Sequence, residues 1–517
     1  MANKQLFQTM QGAFVPAAVD KNREGAPAYK YSPKHLLAQY AVTGCLNNTF
    51  YASGEYQLAK VLELSKELDA EFIAKTAVYA RESASMKDMP ALLLAVLSTK
   101  SPEYLRRVFD RVVDNGRMLR NFVQILRSGA VGRKSLGSAP KELVKRWLSS
   151  ANDRRLIEAA VGSDPSLADI VRMVHPKPND RVREAFYGWL LGKPYALEAL
   201  PQKLQEYVVY KFDRSHAFPD VPFQMLTALG LKRDEWAMVA RRGNWHMVRM
   251  NLNTFARHGV FEIDGMAQVV ADKLRDPEAI EKARVLPYQL LAAYRAAGPD
   301  IPNEVREALQ DAMELALLNI GKFAGRVVVC PDVSGSMSTP ATGLRKGASS
   351  AVRCIDVAGL VAAAVVRANR NAIVMPFENV VRSIVLNTRD SVMTNAEKLA
   401  AIGGGGTNCS APLRSLNARN VQADLVIFVS DNQSWADARN SGATEMMRHW
   451  AAFKARNSEA KLVCIDIQPH GTSQALERAD VLNVGGFSDE VFNVVNAFAA
   501  GKLSAGHWTA KIEEVLI

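Results

Sequence analysis

Arg326-Val327-Val328-Val329-Cys330, followed by Asp332-Val333-Ser334-Gly335-Ser336, decides how this chain is read. The first five residues are a β-branched run that reads as a buried strand. The next five place one acid and two hydroxyls at alternate positions. On an extended turn such residues aim their oxygens at one point, and the glycine lets the backbone turn tightly beside it. That is the geometry a hard divalent cation needs. Mg²⁺ takes oxygen ligands in near-octahedral array at about 2.0–2.1 Å and usually keeps some water.

Two downstream stretches belong with it. Gly403-Gly404-Gly405-Gly406-Thr407 is a glycine-rich loop carrying a threonine, and Leu425-Val426-Ile427-Phe428-Val429-Ser430-Asp431 is an apolar strand ending in an acid. Each lies at the carboxyl end of a strand or in the loop beyond, where open α/β sheets hold their ligands. The expected ligand set is Asp332, Ser334, Ser336, Thr407 and Asp431 around a divalent cation, Mg²⁺ by preference. Ser334 and Ser336 are expected to bind directly, Thr407 directly or through water, and the aspartates directly or by holding ordered water. One position is left for the carboxylate of an acidic protein partner. Taken singly, Ser-Gly-Ser is ordinary turn chemistry and four glycines are a hinge; their shared order and spacing favour the metal site. No nucleophile paired with a base and no Walker A lysine accompanies the motif, so a non-enzyme is expected. A metal-dependent hydrolase using Asp332 and Asp431 is the competing catalytic reading.

The strand run opens a region of strand–helix alternation. Strands are expected at Arg326–Cys330, Asn371–Met375, Arg382–Leu386, Leu425–Val429, Lys461–Ile467 and Asp480–Val484, with helices between, such as Ala351–Arg370. This predicts a doubly wound α/β domain over 321–517. The tail 502–517 carries Trp508, Ile512, Val515, Leu516 and Ile517 and is expected to pack back on the protein. From about 30 to 320 the pattern is helical instead. Apolar residues recur at three- and four-residue steps in Tyr56–Leu68, Ala70–Ala84, Met89–Leu97 and Pro102–Asn115, with Pro/Gly breaks between helices. Residues 1–320 therefore read as an all-α array of HEAT-like stacked helices, with an irregular bundle as the alternative.

The 517 residues, 48% hydrophobic and 23% charged, suit a multidomain globular chain. No apolar run reaches the ~18 residues that span a bilayer, and Met1-Ala2-Asn3-Lys4-Gln5 lacks the apolar core of a secretory signal. The five cysteines, Cys45, Cys330, Cys354, Cys409 and Cys464, are scattered. A cytoplasmic protein with no membrane partner is expected.

Net charge is +11 and unevenly spread. Residues 101–150 hold eleven Lys and Arg against four acids, an excess of +7, whereas the part from 321 holds twenty basic and seventeen acidic residues. A polyanion is thus expected on the helical part. The candidate contacts are Arg117, Arg120, Arg127, Arg133, Lys134, Lys141, Lys145, Arg146, Arg172, His175 and Lys177. A solvated basic face is the competing reading, and His175, beside a proline, reads equally as a turn residue. Arg241, Arg242, His246, Arg249, Arg257 and His258 form a further basic group whose arginines read equally as the lining of a hole that takes single-stranded RNA and as surface charge, among Trp236, Trp245 and Phe255, aromatics better read as helix core.

A long helical region before an Asp-x-Ser-x-Ser module resembles the Ro autoantigen family, whose helical part is the TROVE module and whose second part is a von Willebrand factor A module with a metal-ion-dependent adhesion site. The stretches carrying the resemblance are Thr49-Phe50-Tyr51-Ala52-Ser53, Gly132-Arg133, His175-Pro176-Lys177-Pro178, Leu286-Pro287-Tyr288-Gln289-Leu290-Leu291, Asp332 to Met337, and Ser430-Asp431-Asn432-Gln433-Ser434-Trp435. The compact length resembles bacterial members. The resemblance implies a closed ring of helical repeats, with small structured non-coding Y RNAs on its outer basic surface and single-stranded 3′ ends of misfolded RNA in its hole. It also implies a role in RNA quality control beside an exoribonuclease, without DNA specificity. Arg133, Lys134, Lys141, Lys145 and His175 correspond to the family's Y-RNA-facing surface. Asn408 stands after Thr407 where an acid is common. A metal-dependent protein–protein scaffold is the second functional reading.

Overall fold

In the computed structural model the described residues are 15–44, 46–283, 285, 287–316, 322–343, 352–436, 442–468, 470–486, 489–503 and 506–517. Cys45, Leu286, Ala351 and the opening Met1–Gln5 lie outside them. The chain forms two compact units, one of residues 1–67, 275–296 and 308–514, the other of residues 68–274, 297–307 and 515–517. The spatial grouping thus does not follow a single cut at 320. Of the residues before 68, the described ones belong with the α/β part.

The strands are β1 (Asp20–Lys21), β2 (Pro27–Lys30), β3 (Val327–Pro331), β4 (Ile373–Val374), β5 (Leu425–Ser430), β6 (Lys461–Asp466), β7 (Thr472–Ser473) and β8 (Val481–Gly485). Five make a parallel sheet in the order β4-β3-β5-β6-β8, with Val328 opposite Val426 and Ile427 opposite Val463. β3, β5 and β8 are buried throughout, as parallel strands covered on both faces must be. Their continuous apolar runs, rather than alternating ones, come from that double cover. Helix Cys354–Ala368 packs on β3 and is buried from Cys354 to Val366. Phe377, Phe428, Trp450 and Phe453 fill the core beside β5.

A second sheet, β1-β2-β7, joins the first part of the chain to the last. β2 pairs antiparallel with β7, Tyr29 opposite Ser473. The tail forms helix His507–Glu513. It buries Trp508 and Ile512 against helix Pro33–Thr43 and β8, with the Trp508 ring edge-on to His35 at 5.5 Å, while Leu516 is exposed. The run Arg382–Leu386, expected as a strand, is none. β4 ends the sheet after two residues, Val381 makes one bridge to Phe377, and Val385 stands in solvent. A short apolar run alone cannot seat a strand where no partner is left to pair with it.

In the helical unit, successive helices pack on their second neighbours as well as their first. Ala70–Glu82 meets Asp88–Lys100 and Pro102–Val112; Asp88–Lys100 meets Gly116–Arg127; Pro102–Val112 meets Ser138–Ser150; Gly116–Arg127 meets Asp153–Ala159. This two-layer stacking is the packing of helical repeats, each helix pair burying its apolar face on the next. The strong apolar stripes follow from it: Leu105, Val108, Phe109 and Val112 on one helix, Leu119, Phe122, Val123 and Leu126 on another, are buried. No described helix is long and apolar enough to cross a membrane.

Candidate metal centre and nucleic-acid interface

The three loops of the expected metal site meet at the carboxyl ends of β3 and β5. The Gly335 amide donates to the Gly405 carbonyl at 3.1 Å and the Gly404 amide to the Val333 carbonyl at 3.1 Å, joining the first loop to the glycine-rich one. The Trp435 amide donates to the Thr407 carbonyl at 3.0 Å, joining the second to the third. Gly404 and Gly405 have φ of +116° and +77°, the left-handed region that favours glycine, and a β-carbon on Gly405 would displace the Glu378 carboxylate.

Asp332, Ser334, Ser336, Thr407 and Asp431 are all buried. The Ser334 amide donates to Asp332 Oδ1 at 2.8 Å and the Ser430 hydroxyl to Asp332 Oδ2 at 2.6 Å. The Ser334 and Ser336 hydroxyls lie 3.3 Å apart, and the Gln433 amide donates to Asp431 Oδ1 at 3.2 Å. Burial, and then the Asp431 charge beside it, push the Asp332 carboxyl up to about 7. Burial also raises Asp431. Two mutually repelling carboxylates and three hydroxyls have no cationic hydrogen-bond partner among the described residues. Such a donor set is chemically suited to a hard cation, which would relieve the repulsion and hold both acids ionised. Among the described residues no group of three or more His, Cys, Asp or Glu is placed to hold a metal, so a site here must draw on hydroxyls. Asn408 is occupied in the fold: its side chain accepts from the Ser410 amide at 3.1 Å and donates to the Asn379 carbonyl at 3.1 Å.

Three residues at this site escaped the sequence reading as participants. Ser430 closes the strand motif, and a serine directly before the acid was a usable signal. Gln433 lies two residues beyond it. Tyr51 is the third: its hydroxyl lies against Ser336 and beside Asp431, although it is 285 residues earlier than Ser336 in the chain. No local pattern announces such a contact.

The basic candidates divide into two kinds. Arg120 donates to the Ala159 carbonyl at 2.9 Å, and burial and nearby Arg117 lower its pKa. Arg133 donates to the Ser98 carbonyl at 3.1 Å and lies under Gly137. Arg146 pairs with Asp110 at 2.7 Å and Arg172 with Asp169 at 3.2 Å. His175 ends helix Leu167–Val174 in the left-handed region at φ +50°, an exposed cap residue. Arg117, Arg127, Lys134 and Lys177 are exposed, Lys141 and Lys145 half-buried, and none of the six has an acidic partner among the described residues. Trp236, Trp245 and Phe255 are buried core.

A groove of about 720 Å³ in the helical unit gathers Arg117 and Arg120 from one helix and Arg154, Lys203 and Arg242 from three others, with Phe218 and Met247 on its wall. Its acids, Glu158 and Asp220, are taken up by Arg154 at 2.8 Å and by Lys203. Arg242 donates to the Phe218 carbonyl at 2.8 Å. Three cations of the groove thus lack a counter-charge among the described residues.

Residues 326–499 match the family model of the Ro60 vWA domain. RNA-binding protein RO60 of Deinococcus radiodurans is 25% identical over 530 residues, 93% of this chain and 96% of that protein. RNA-binding protein RO60 of Caenorhabditis elegans is 24% identical over 258 residues, 45% of this chain and 37% of that protein. The crystal structure of the Deinococcus radiodurans RO (RSR) protein superposes with a TM-score of 0.63 at 21% identity, over 91% of this chain and all of that one. Residues 326–499 thus match a von Willebrand factor A domain of the Ro60 kind, and the chain is similar to the RO60 protein of Deinococcus radiodurans along nearly its whole length.

Proposed function

We propose that this chain is a non-catalytic RNA-binding protein of the Ro type. Relatives matched along the chain are named RNA-binding proteins. The observation that carries the reading is the positive charge of the helical unit that neither an acid nor a carbonyl takes up among the described residues, in the groove at Arg117 and on the surface at Arg127, Lys134, Lys141, Lys145 and Lys177. Phosphates are its natural counter-ions. The groove, with Phe218 and Met247 beside its arginines, suits a single strand, such as the 3′ end of a misfolded RNA, held by phosphate contact and stacking. The surface cations suit a small structured non-coding RNA read by shape. Work in RNA quality control in the cytoplasm, as an adaptor to an exoribonuclease, follows from that pair of specificities.

The A domain holds Mg²⁺ through Asp332, Ser334, Ser336, Thr407 and Asp431, the ion supplying charge that the two buried acids lack. Sequencing the RNA that crosslinks to the full-length protein in cells tests the reading. Small structured RNAs and frayed 3′ ends are expected, with crosslinks at the helical unit. Crosslinks spread evenly over transcripts, or turnover of RNA that Asp332→Ala abolishes, would overturn it.

A further inference from the structure

The metal loops are held by the chain's own N-terminal segment. Asn22 shapes a turn by accepting from the amides of Glu24 at 3.0 Å and Ala26 at 2.9 Å. That turn reaches the loop bearing Asp431: Asn22 Nδ2 donates to the Ser434 carbonyl at 2.6 Å and the Arg23 amide to Gln433 Oε1 at 2.9 Å. Gln433, wholly buried, then donates its own amide to Asp431 Oδ1 at 3.2 Å and its Nε2 to the Asp431 carbonyl at 3.3 Å. A continuous hydrogen-bond path therefore runs from the backbone of residue 23 to a carboxylate of the ion site.

The next part of the segment grips the other loop. Asn47 Nδ2 donates to the Thr342 carbonyl at 3.0 Å, just past Ser336. The Arg23 guanidinium lies 4.2 Å over the Tyr56 ring, tying turn and helix together. Tyr51 packs edge-on to the buried His470 at 5.4 Å, with its hydroxyl near Ser336, Asp431 and Glu24. Both loops that flank the ion site are thus bound to residues 22–56.

We propose that this segment is a working part of the ion site, Tyr51 lying over the ligand set and Gln433 positioning Asp431, so that cation binding and seating of the turn at 22–26 stabilise each other. The inference rests on the metal reading given above. Without a cation, the repulsion between Asp332 and Asp431 acts on the carboxylate that Gln433 holds. With one, Asp431 is fixed, and with it the amide pair that anchors Arg23. Linkage makes the effect reciprocal: the factor by which the ion protects the turn is the factor by which a loosened turn weakens the ion. The site then serves as an internal clasp, and an acidic partner reaching it must contend with Tyr51.

The full-length protein titrated with Mg²⁺ is followed by calorimetry and, separately, by amide hydrogen exchange of residues 18–30. Mg²⁺ is expected to slow exchange at 22–26 by about fivefold or more. Gln433→Ala, and the more peripheral Asn22→Ala, are each expected to abolish that slowing and weaken Mg²⁺ by a comparable factor. Tyr51→Phe, keeping the ring packing, weakens Mg²⁺ through loss of the hydroxyl alone. Calorimetric binding with unchanged exchange at 22–26 in the wild type would overturn the coupling and leave the metal site standing. No binding of Mg²⁺ or Mn²⁺ at all would overturn both.

Discussion

Lys134 and Arg133 are neighbours with opposite expected behaviour, and that contrast gives a sharp test of RNA binding. Lys134, Lys141 and Lys145 have no acidic partner among the described residues, whereas Arg133 is engaged with the Ser98 carbonyl beneath Gly137. Each lysine that neutralises a phosphate contributes about 0.7–0.9 to the slope of log K against log salt, so Lys134→Ala/Lys141→Ala/Lys145→Ala should flatten the slope by about 2–3. At about 0.15 M salt, releasing that much counter-ion stabilises the complex by about 1 kcal/mol per contact, so the triple change should weaken binding roughly 100-fold. Arg133→Ala should leave the slope unchanged and lower thermal stability instead, by about 1.5–3 kcal/mol for a charged hydrogen bond to a carbonyl. Filter binding of a structured RNA from 50 to 400 mM salt (roughly the range in which such slopes are linear) reads the slope. An unchanged slope in the triple variant, or a flattened one in Arg133→Ala, would refute the division into free and engaged cations.

In chelator, Asp332→Asn removes one of two like charges at a buried site and should be at least as stable as the wild type by calorimetry. It should also lose the ion-dependent gain, about 2.7 kcal/mol for the wild type at a hundred times the dissociation constant. Glu477 is buried, its carboxylate accepting from the Asn483 amide at 2.8 Å and from its side chain at 2.7 Å, and burial, against those bonds, lifts it from 4.5 to about 7. A folded value raised above the unfolded one gives stability that is complete below the unfolded value and is lost as pH rises through about 7. Denaturant melts should show Glu477→Gln removing that decline, worth at most about 3 kcal/mol. Trp147 is buried and its indole donates to the Val113 carbonyl at 3.0 Å, so Trp147→Ala should cost about 3–5 kcal/mol in the unfolding free energy, with loss of cooperativity in the helical unit's transition.

What the sequence made legible was local. The strand-acid-hydroxyl order of 326–336 needs no partner to be read, because burial on two faces leaves an uninterrupted apolar run and the turn beyond it is set by residue type. The same holds for the helices from 70 to 150, whose stripes repeat at helical steps. Less legible was everything set by distant neighbours. Val385 sits in a short apolar run, Ile384-Val385-Leu386, that reads like a strand, yet the sheet ends before it. Residues 1–67 read as the start of a helical region, and only their pairing with 472–473 shows where they belong. Tyr51 carries no mark of its place at Ser336. Among the cations, composition showed an excess but not its use, since whether Arg133 is free depends on a carbonyl thirty-five residues earlier.

The antiparallel match of Tyr29 with Ser473 sets a schedule for biogenesis. Tyr31, next but one to it, meets Asp466 across 435 positions of sequence. At about 5–20 residues per second, the earlier strand leaves the ribosome roughly 20–90 s before its mate is made. During that interval its edge is open, and a chaperone or a neighbouring nascent chain has access to it.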